Sequence, residues 1–108
     1  MGKGMFMAWS SPVSAEEDAS FNTWYDEIHV PQVRKAVPSI TDVRRYALLG
    51  SGQDGGVRRY LACYELADED AAGAAAAIHA AGSSGGFDMS PAFDTSKAAE
   101  IFFLEPLD

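Results

Sequence analysis

Three segments of this chain are apolar at nearly every position, and this pattern constrains the fold more than any other feature. They cover residues 5–9, 59–66 and 98–104. A strand with one face in water alternates apolar and polar side chains, whereas a strand buried on both faces does not. The pattern therefore predicts a β-sheet that is covered on both sides.

The segment after the first of these strands is predicted to be a helix. Ser14 followed by Glu17 matches the capping box of a helix N-terminus. Apolar side chains then recur at helical spacing along one face. These are Phe21, Trp24, Tyr25 and Ile28. Pro31 disfavours helical backbone at the residue before it, so we expect the helix to end or kink near His29.

The remaining elements follow from turn residues and composition. Residues 43–49 have strand character, and the four glycines of residues 50–56 suit the hairpin loop before the next strand. An alanine-rich run over residues 71–81 predicts a second helix, with Asp68 as its N-cap. Residues 87–97 look irregular and could cover an opening, because Pro91 excludes a central strand.

The resulting order is β-α-β-β-α-β, which is the ferredoxin-like motif of an α+β fold. It predicts an antiparallel four-stranded sheet with both helices on one face. Helices on one side leave the other apolar face of the sheet uncovered, and an exposed apolar sheet is unfavourable. We therefore expect a homodimer in which two sheets pack face to face.

Composition narrows the class of protein. At 108 residues the chain is expected to form a single domain, residues 1–108, and its formal charge of -8 makes nucleic acid and anionic membranes unlikely partners. The lone Cys63 suits a reducing compartment, and no signal peptide or membrane span is recognisable, so we expect a cytoplasmic protein. The two histidines and one cysteine do not have the spacing of a known metal site, so we expect no bound metal. The sequence has no recognisable nucleotide-binding motif, so we expect no cofactor.

The densest group of candidate catalytic residues lies at the end of the first helix. Helical geometry puts His29 about 40° from Tyr25, just outside the apolar face. Asp26 is three residues before His29 and could orient the imidazole as a general base, while Tyr25 could donate to an oxyanion. The alternative is that these side chains only pack the core or cap the helix.

A second group of candidates lies on the strands. Arg44 and Tyr46 share one face of a strand and Arg45 takes the other, and alternation alone does not show which arginine faces a pocket. Tyr60 and Tyr64 share a face with a small residue between them, as either pocket or core side chains. The full set expected to contact a bound molecule is Trp24, Arg44, Tyr46, Tyr60, Tyr64 and Phe87.

The pattern W-Y-x-x-H-x-P over residues 24–31, followed by Pro38 and then Arg44-Arg45-Tyr46, resembles the dimeric α+β barrel superfamily, especially its EthD-like branch. The resemblance covers about the first half of the chain, and Pro38-Ser39 stands where the family commonly has Pro-Gly. It implies a pocket between sheet and helices, lined by His29, Tyr25, Arg44 and Tyr46.

Two functions agree with these residues. The first is a cofactor-independent enzyme of the isomerase, cyclase or monooxygenase type that uses a histidine base on a small apolar or aromatic molecule. The second is a binding or accessory protein with the same pocket and no chemistry. A dimer whose pocket is filled by Trp24 and Phe87 is the purely structural alternative. The breadth of the superfamily does not choose among them.

Overall fold

The computed structural model describes residues 2–96 and 100–107. Its four strands are β1 (Met5–Ser10), β2 (Ile40–Ala47), β3 (Tyr60–Leu66) and β4 (Glu100–Leu104). They form one sheet in the order β2-β3-β1-β4, and every neighbouring pair is antiparallel. The predicted α+β fold with a four-stranded antiparallel sheet is confirmed, and the strand order is compatible with a ferredoxin-like fold.

The helix predicted to end or kink near His29 continues past this residue, but its geometry changes there and a new α-helical segment begins. After a 3-10 turn at Ala15–Glu17, the chain forms α1 (Asp18–Trp24), a π-helical turn (Tyr25–His29) and α2 (Val30–Ala36) without a break. A π-helix closes its hydrogen bonds one residue later than an α-helix. The wider turn therefore accommodates Pro31, which lacks an N–H and sits in the first turn of α2.

Helix α3 spans Ala71–Ser83, two residues longer than predicted. Its N-cap is Asp70 instead of Asp68, and the Asp70 carboxylate accepts a hydrogen bond of 2.9 Å from the Gly73 N–H. At the first helix the predicted capping box is not formed, because the Ser14 side chain makes no capping bond. The first two residues of the predicted last strand, Ala98 and Ala99, lie outside the described residues.

The core lies between one face of the sheet and the two helical segments. Buried side chains from α1, the π-helical turn and α2 meet the inward-facing residues of β1 and β3, with Ala74 of α3 beside them. The helix side contributes Phe21, Trp24, Tyr25 and Val33, and the sheet side contributes Phe6, Tyr60, Ala62, Tyr64 and Leu66. Within the described residues the second face of the sheet has no such cover, as expected from helices that lie on one side.

We call that second face the outer face. Strand alternation and register place Met7, Cys63 and Phe102 next to one another on it, with Leu61 and Tyr46 in the neighbouring row. Phe102 and Tyr46 are each 50% exposed. Within residues 2–96 and 100–107, no helix is long and apolar enough to cross a membrane.

Candidate functional site

A cavity of about 360 Å³ lies between the inner face of the sheet and the first helix. Its walls are mainly apolar. Strand β1 lines it with Phe6, Ala8 and Ser10, the helix with Tyr25, His29 and Val33, and the loop after α3 with Phe87, Met89 and Phe93. A volume of this size is within the range of small-molecule sites in proteins.

Three polar atoms in the cavity walls are buried without a hydrogen-bond partner among the described residues. They are Ser10 Oγ, His29 Nδ1 and Tyr64 Oη. Tyr64 is 1% exposed and Ser10 is 8% exposed. Buried polar groups in proteins are nearly always hydrogen-bonded, so a cluster of unpartnered ones needs an explanation. A cavity that receives a polar group of a ligand supplies one.

His29 is enclosed by aromatic rings. Its imidazole stacks on Trp24 at a centroid distance of 4.8 Å and meets the Tyr25 ring edge-on, also at 4.8 Å. Phe87 packs against its other side with the centroids 5.6 Å apart. The π-helical turn explains this position, because its extra residue per turn carries His29 back toward Tyr25 instead of beyond the apolar face.

The environment of His29 keeps its imidazole neutral. Burial, and after it the positive charge of Arg45, lower the pKa of His29 to about 4. The imidazole is therefore uncharged throughout the neutral pH range. A neutral imidazole can donate one hydrogen bond and accept another, depending on its tautomer.

Asp26 does not orient His29. Its Oδ1 instead accepts a hydrogen bond of 2.9 Å from Arg45 Nη1, and its side chain is mostly exposed. The α-helical spacing of three residues that would have joined Asp26 to His29 is changed by the π-helical turn. The expected carboxylate–imidazole pair is therefore replaced by a carboxylate–guanidinium pair.

Two tyrosine hydroxyls lie side by side at the sheet end of the cavity. Burial raises the pKa of both Tyr25 and Tyr64. The Tyr25 hydroxyl lies near the hydroxyls of both Tyr64 and Ser10, but no hydrogen bond of good geometry joins it to either of them. Both phenols stay protonated at neutral pH and can donate to a ligand.

The loop after α3 closes one side of the cavity and is held at both ends. Trp24 Nε1 donates a 2.7 Å hydrogen bond to the Asp88 carbonyl, and Gln32 pairs with the side chain and backbone N–H of Asp88. Farther along, a bridge joins Phe93 to Pro12. Trp24 thus anchors the loop and stacks on His29, and it is outside the cavity wall.

Three of the other predicted binding residues lie elsewhere. Arg44 and Tyr46 are on the outer face, where Arg44 pairs with Asp42 at 2.9 Å, so neither lines the cavity. Arg45 takes the inner face. Tyr60 is buried under α1 and donates a 2.6 Å hydrogen bond to Asp18, which makes it part of the core. The fold therefore brings Tyr25, His29, Tyr64 and Phe87 to one cavity and places the other predicted site residues outside its wall.

The sequence reasoning missed Ser10, Met89 and Phe93. Strand alternation could have found Ser10, because it shares a face with Phe6 and Ala8. Met89 and Phe93 lie in an irregular loop, where no periodicity points to one side. In the part of the chain that the structure describes, no cluster of three or more metal-ligating side chains is present.

Comparison with known proteins gives no match: no family model fits the chain, and no curated protein or solved structure is significantly similar to it.

Proposed function

We propose that this protein binds a small, uncharged, mostly apolar or aromatic molecule in the cavity between its sheet and its first helix. One observation carries the proposal: Ser10 Oγ, His29 Nδ1 and Tyr64 Oη are buried in the cavity wall without a hydrogen-bond partner in residues 2–96 and 100–107. Leaving such groups unpaired costs about 1–3 kcal/mol each, and a ligand with one or two polar atoms would remove that cost. The aromatic walls would contact the rest of the ligand.

The charges around the cavity favour a neutral ligand. His29 is uncharged, and both phenols are protonated. Arg45 is outside the wall and is bound to Asp26 and Asn22, while Arg59, in the wall, pairs with Glu100. Among the residues that the structure describes, no free cation lies near the cavity, so an anionic group would enter an apolar space unpaired, which is strongly unfavourable.

Three related probes test this proposal. They are naphthalene, 1-naphthol and 1-naphthoate, which share one ring system and differ in a hydroxyl or a carboxylate. By isothermal titration calorimetry at pH 7 we expect 1-naphthol to bind about fivefold more tightly than naphthalene, the effect of one hydrogen bond of about 1 kcal/mol. We expect 1-naphthoate to bind most weakly.

A pair of tyrosine variants locates the binding. Tyr64→Phe removes a cavity hydroxyl and should reduce the preference for 1-naphthol over naphthalene, whereas Tyr46→Phe, on the outer face, should leave it unchanged. Tightest binding by 1-naphthoate, or no binding of the two neutral probes, would contradict the proposal. Equal effects of the two substitutions would place the probe outside the cavity.

A second candidate function is cofactor-independent catalysis with His29 as general base. It is supported by a neutral imidazole with a free nitrogen beside the Tyr25 and Tyr64 hydroxyls. Such a base could remove a proton next to a carbonyl group, and a phenol could donate to the resulting enolate oxygen. An isomerase, a cyclase or a cofactor-free monooxygenase can begin with this kind of step.

Deuterium exchange separates the enzyme from the binder. In D2O, 2-tetralone should exchange its protons next to the carbonyl faster with the wild-type protein than with His29→Ala. The rate should rise with pH near 4 and level off above it, because the neutral imidazole is the active form. Binding of 2-tetralone without accelerated exchange would leave the protein as a non-catalytic binder.

We also propose that a second copy of the chain covers the outer face. Its apolar centre is bordered by ion pairs, Arg44 with Asp42 and Lys3 with Glu65, which is the usual anatomy of an interface. With this assembly the fold would be that of the dimeric α+β barrels, whose EthD-like branch the W-Y-x-x-H-x-P segment resembles.

Light scattering coupled to size-exclusion chromatography tests the assembly. Phe102→Glu should convert the dimer to a monomer, because a carboxylate would be buried in the apolar centre. Leu49→Glu is the control, since Leu49 is 98% exposed in the hairpin loop. A wild-type chain that is monomeric at high concentration would refute the dimer while leaving the cavity proposal intact.

A further inference from the structure

Arg45 is an inward-facing cation that no part of the binding proposal uses. Its Nη1 donates to Asp26 Oδ1 and its Nη2 to Asn22 Oδ1, each at 2.9 Å. Asn22 lies in α1 and Asp26 in the π-helical turn, so the guanidinium bridges the junction between them. Its side chain is 16% exposed.

The same guanidinium lies over the ring of Tyr25. The distance from Arg45 Cζ to the centroid of Tyr25 is 4.2 Å, shorter than its distances to the rings of Tyr60 and Phe21. Tyr25 in turn meets the His29 ring edge-on. A continuous chain of contacts therefore runs from β2 through Tyr25 to the cavity wall.

We propose that Arg45 is a positioning residue of the cavity, which clamps the start of the π-helical turn and presses Tyr25 against His29, so that the imidazole stays in the cavity wall. The inference rests on the proposed function, since it concerns the same cavity. Arg45 acts through its neighbours and touches no ligand.

The clamp has an electrostatic consequence at His29. The positive charge of Arg45 acts in the same direction as burial and disfavours the imidazolium. The other titratable or charged groups around the cavity come from several elements. They are Tyr25 and Asp26 on the helix, Tyr64 on β3, Arg59 before β3, Asp94 in the loop after α3, and Glu100 on β4.

The test compares adjacent arginines on opposite faces of β2. Arg45→Met removes the clamp and the charge, Arg45→Lys keeps the charge, and Arg44→Met is the control on the outer face. For each variant, NMR follows the His29 imidazole during a pH titration, with exposed His79 as a second imidazole signal. Calorimetry measures binding of 1-naphthol at pH 7.

In Arg45→Met we expect the pKa of His29 to rise from about 4 but to stay below its ordinary value of about 6.5, because burial, the larger cause of the shift, remains. We expect 1-naphthol to bind about tenfold more weakly, as the loss of a desolvated cation–π contact implies. Arg45→Lys should keep the low pKa and recover part of the binding. Arg44→Met should match the wild type in both measurements.

Unchanged titration and binding in Arg45→Met would overturn the inference. Equal losses in Arg45→Lys and Arg45→Met would do the same, because they would mean a general effect on folding. If Arg45→Met does not fold, Asp26→Ala removes one arm of the clamp at an exposed position, and probe binding equal to that of the wild type would refute the role. If the wild type binds no 1-naphthol, the proposed function fails, while the titration still decides whether Arg45 controls His29.

Discussion

Three tyrosines of this protein carry hydroxyls in three different environments, and replacing each by phenylalanine gives a sharp test of the structure. Tyr64 Oη is buried and has no hydrogen-bond partner among the described residues. Tyr60 Oη bonds to Asp18 and Asn22, and Tyr46 is half exposed on the outer face. Phenylalanine keeps the ring and removes only the hydroxyl. The change in unfolding free energy therefore reports the environment of that one group.

We expect Tyr64→Phe to stabilise the ligand-free protein. An unpaired buried hydroxyl costs about 1–3 kcal/mol, so its removal should raise the free energy of unfolding by about 1 kcal/mol or more. For a domain near 100 residues this corresponds to a rise in Tm of about 4–8 °C per kcal/mol. Tyr60→Phe should lower it by about 1 kcal/mol, because a hydrogen bond to a carboxylate is lost near the protein surface.

Urea unfolding, followed by circular dichroism, measures all three variants, and equal m-values would show that only stability has changed. Tyr46→Phe should lie within about 0.5 kcal/mol of the wild type. Destabilisation by Tyr64→Phe would refute the reasoning, because it would show that the hydroxyl has a partner in the folded protein. The proposed binding site would then lose one of its three polar groups.

Three other predictions follow from single contacts. The pKa of His29 is about 4 in the folded chain and about 6.5 in the unfolded chain, so the unfolded chain binds more protons between these two pH values. The free energy of unfolding should therefore fall by about 3 kcal/mol as the pH drops from 6.5 to 4. In urea titrations, His29→Gln should remove this loss. Asp70→Ala should cost about 1 kcal/mol in the same assay, since the N-cap of α3 is lost. Trp24→Phe should accelerate amide exchange in the loop after α3, because the bond to the Asp88 carbonyl is removed; exchange as slow as in the wild type would contradict this.

The sheet could be predicted from the sequence because its signal is local. The apolar strands, the glycine-rich hairpin loop and the alanine-rich helix can each be recognised from a few consecutive residues. Strand alternation also gave the relation between Arg44 and Arg45, but not which of them faces inward. That choice depends on how β2 lies against the helices, where Arg45 meets Asp26 and Asn22.

The site was harder to predict because one turn of helix departs from α geometry. Pro31 indicates an interruption of the helix, but both the end of a helix and a π-helical turn are compatible with a proline at this position. A longer pattern does contain the information. Positions 21, 25, 29, 33 and 37 are apolar or aromatic, and residues four apart drift by about 40° per step in an α-helix. Only a wider turn keeps such a series on one side.

The π-helical turn also absorbs one extra residue in this part of the chain. Helix α1 buries Phe21 and Trp24, and α2 buries Val33 against the same core. A deletion of one residue between positions 25 and 29 would permit regular α-helix throughout and would keep α2 in phase with α1, so that Phe21 and Val33 would still share one face. The loss of one residue is therefore compatible with the packing of both helices, and it would move the side chains of the turn itself, including His29 in the cavity wall.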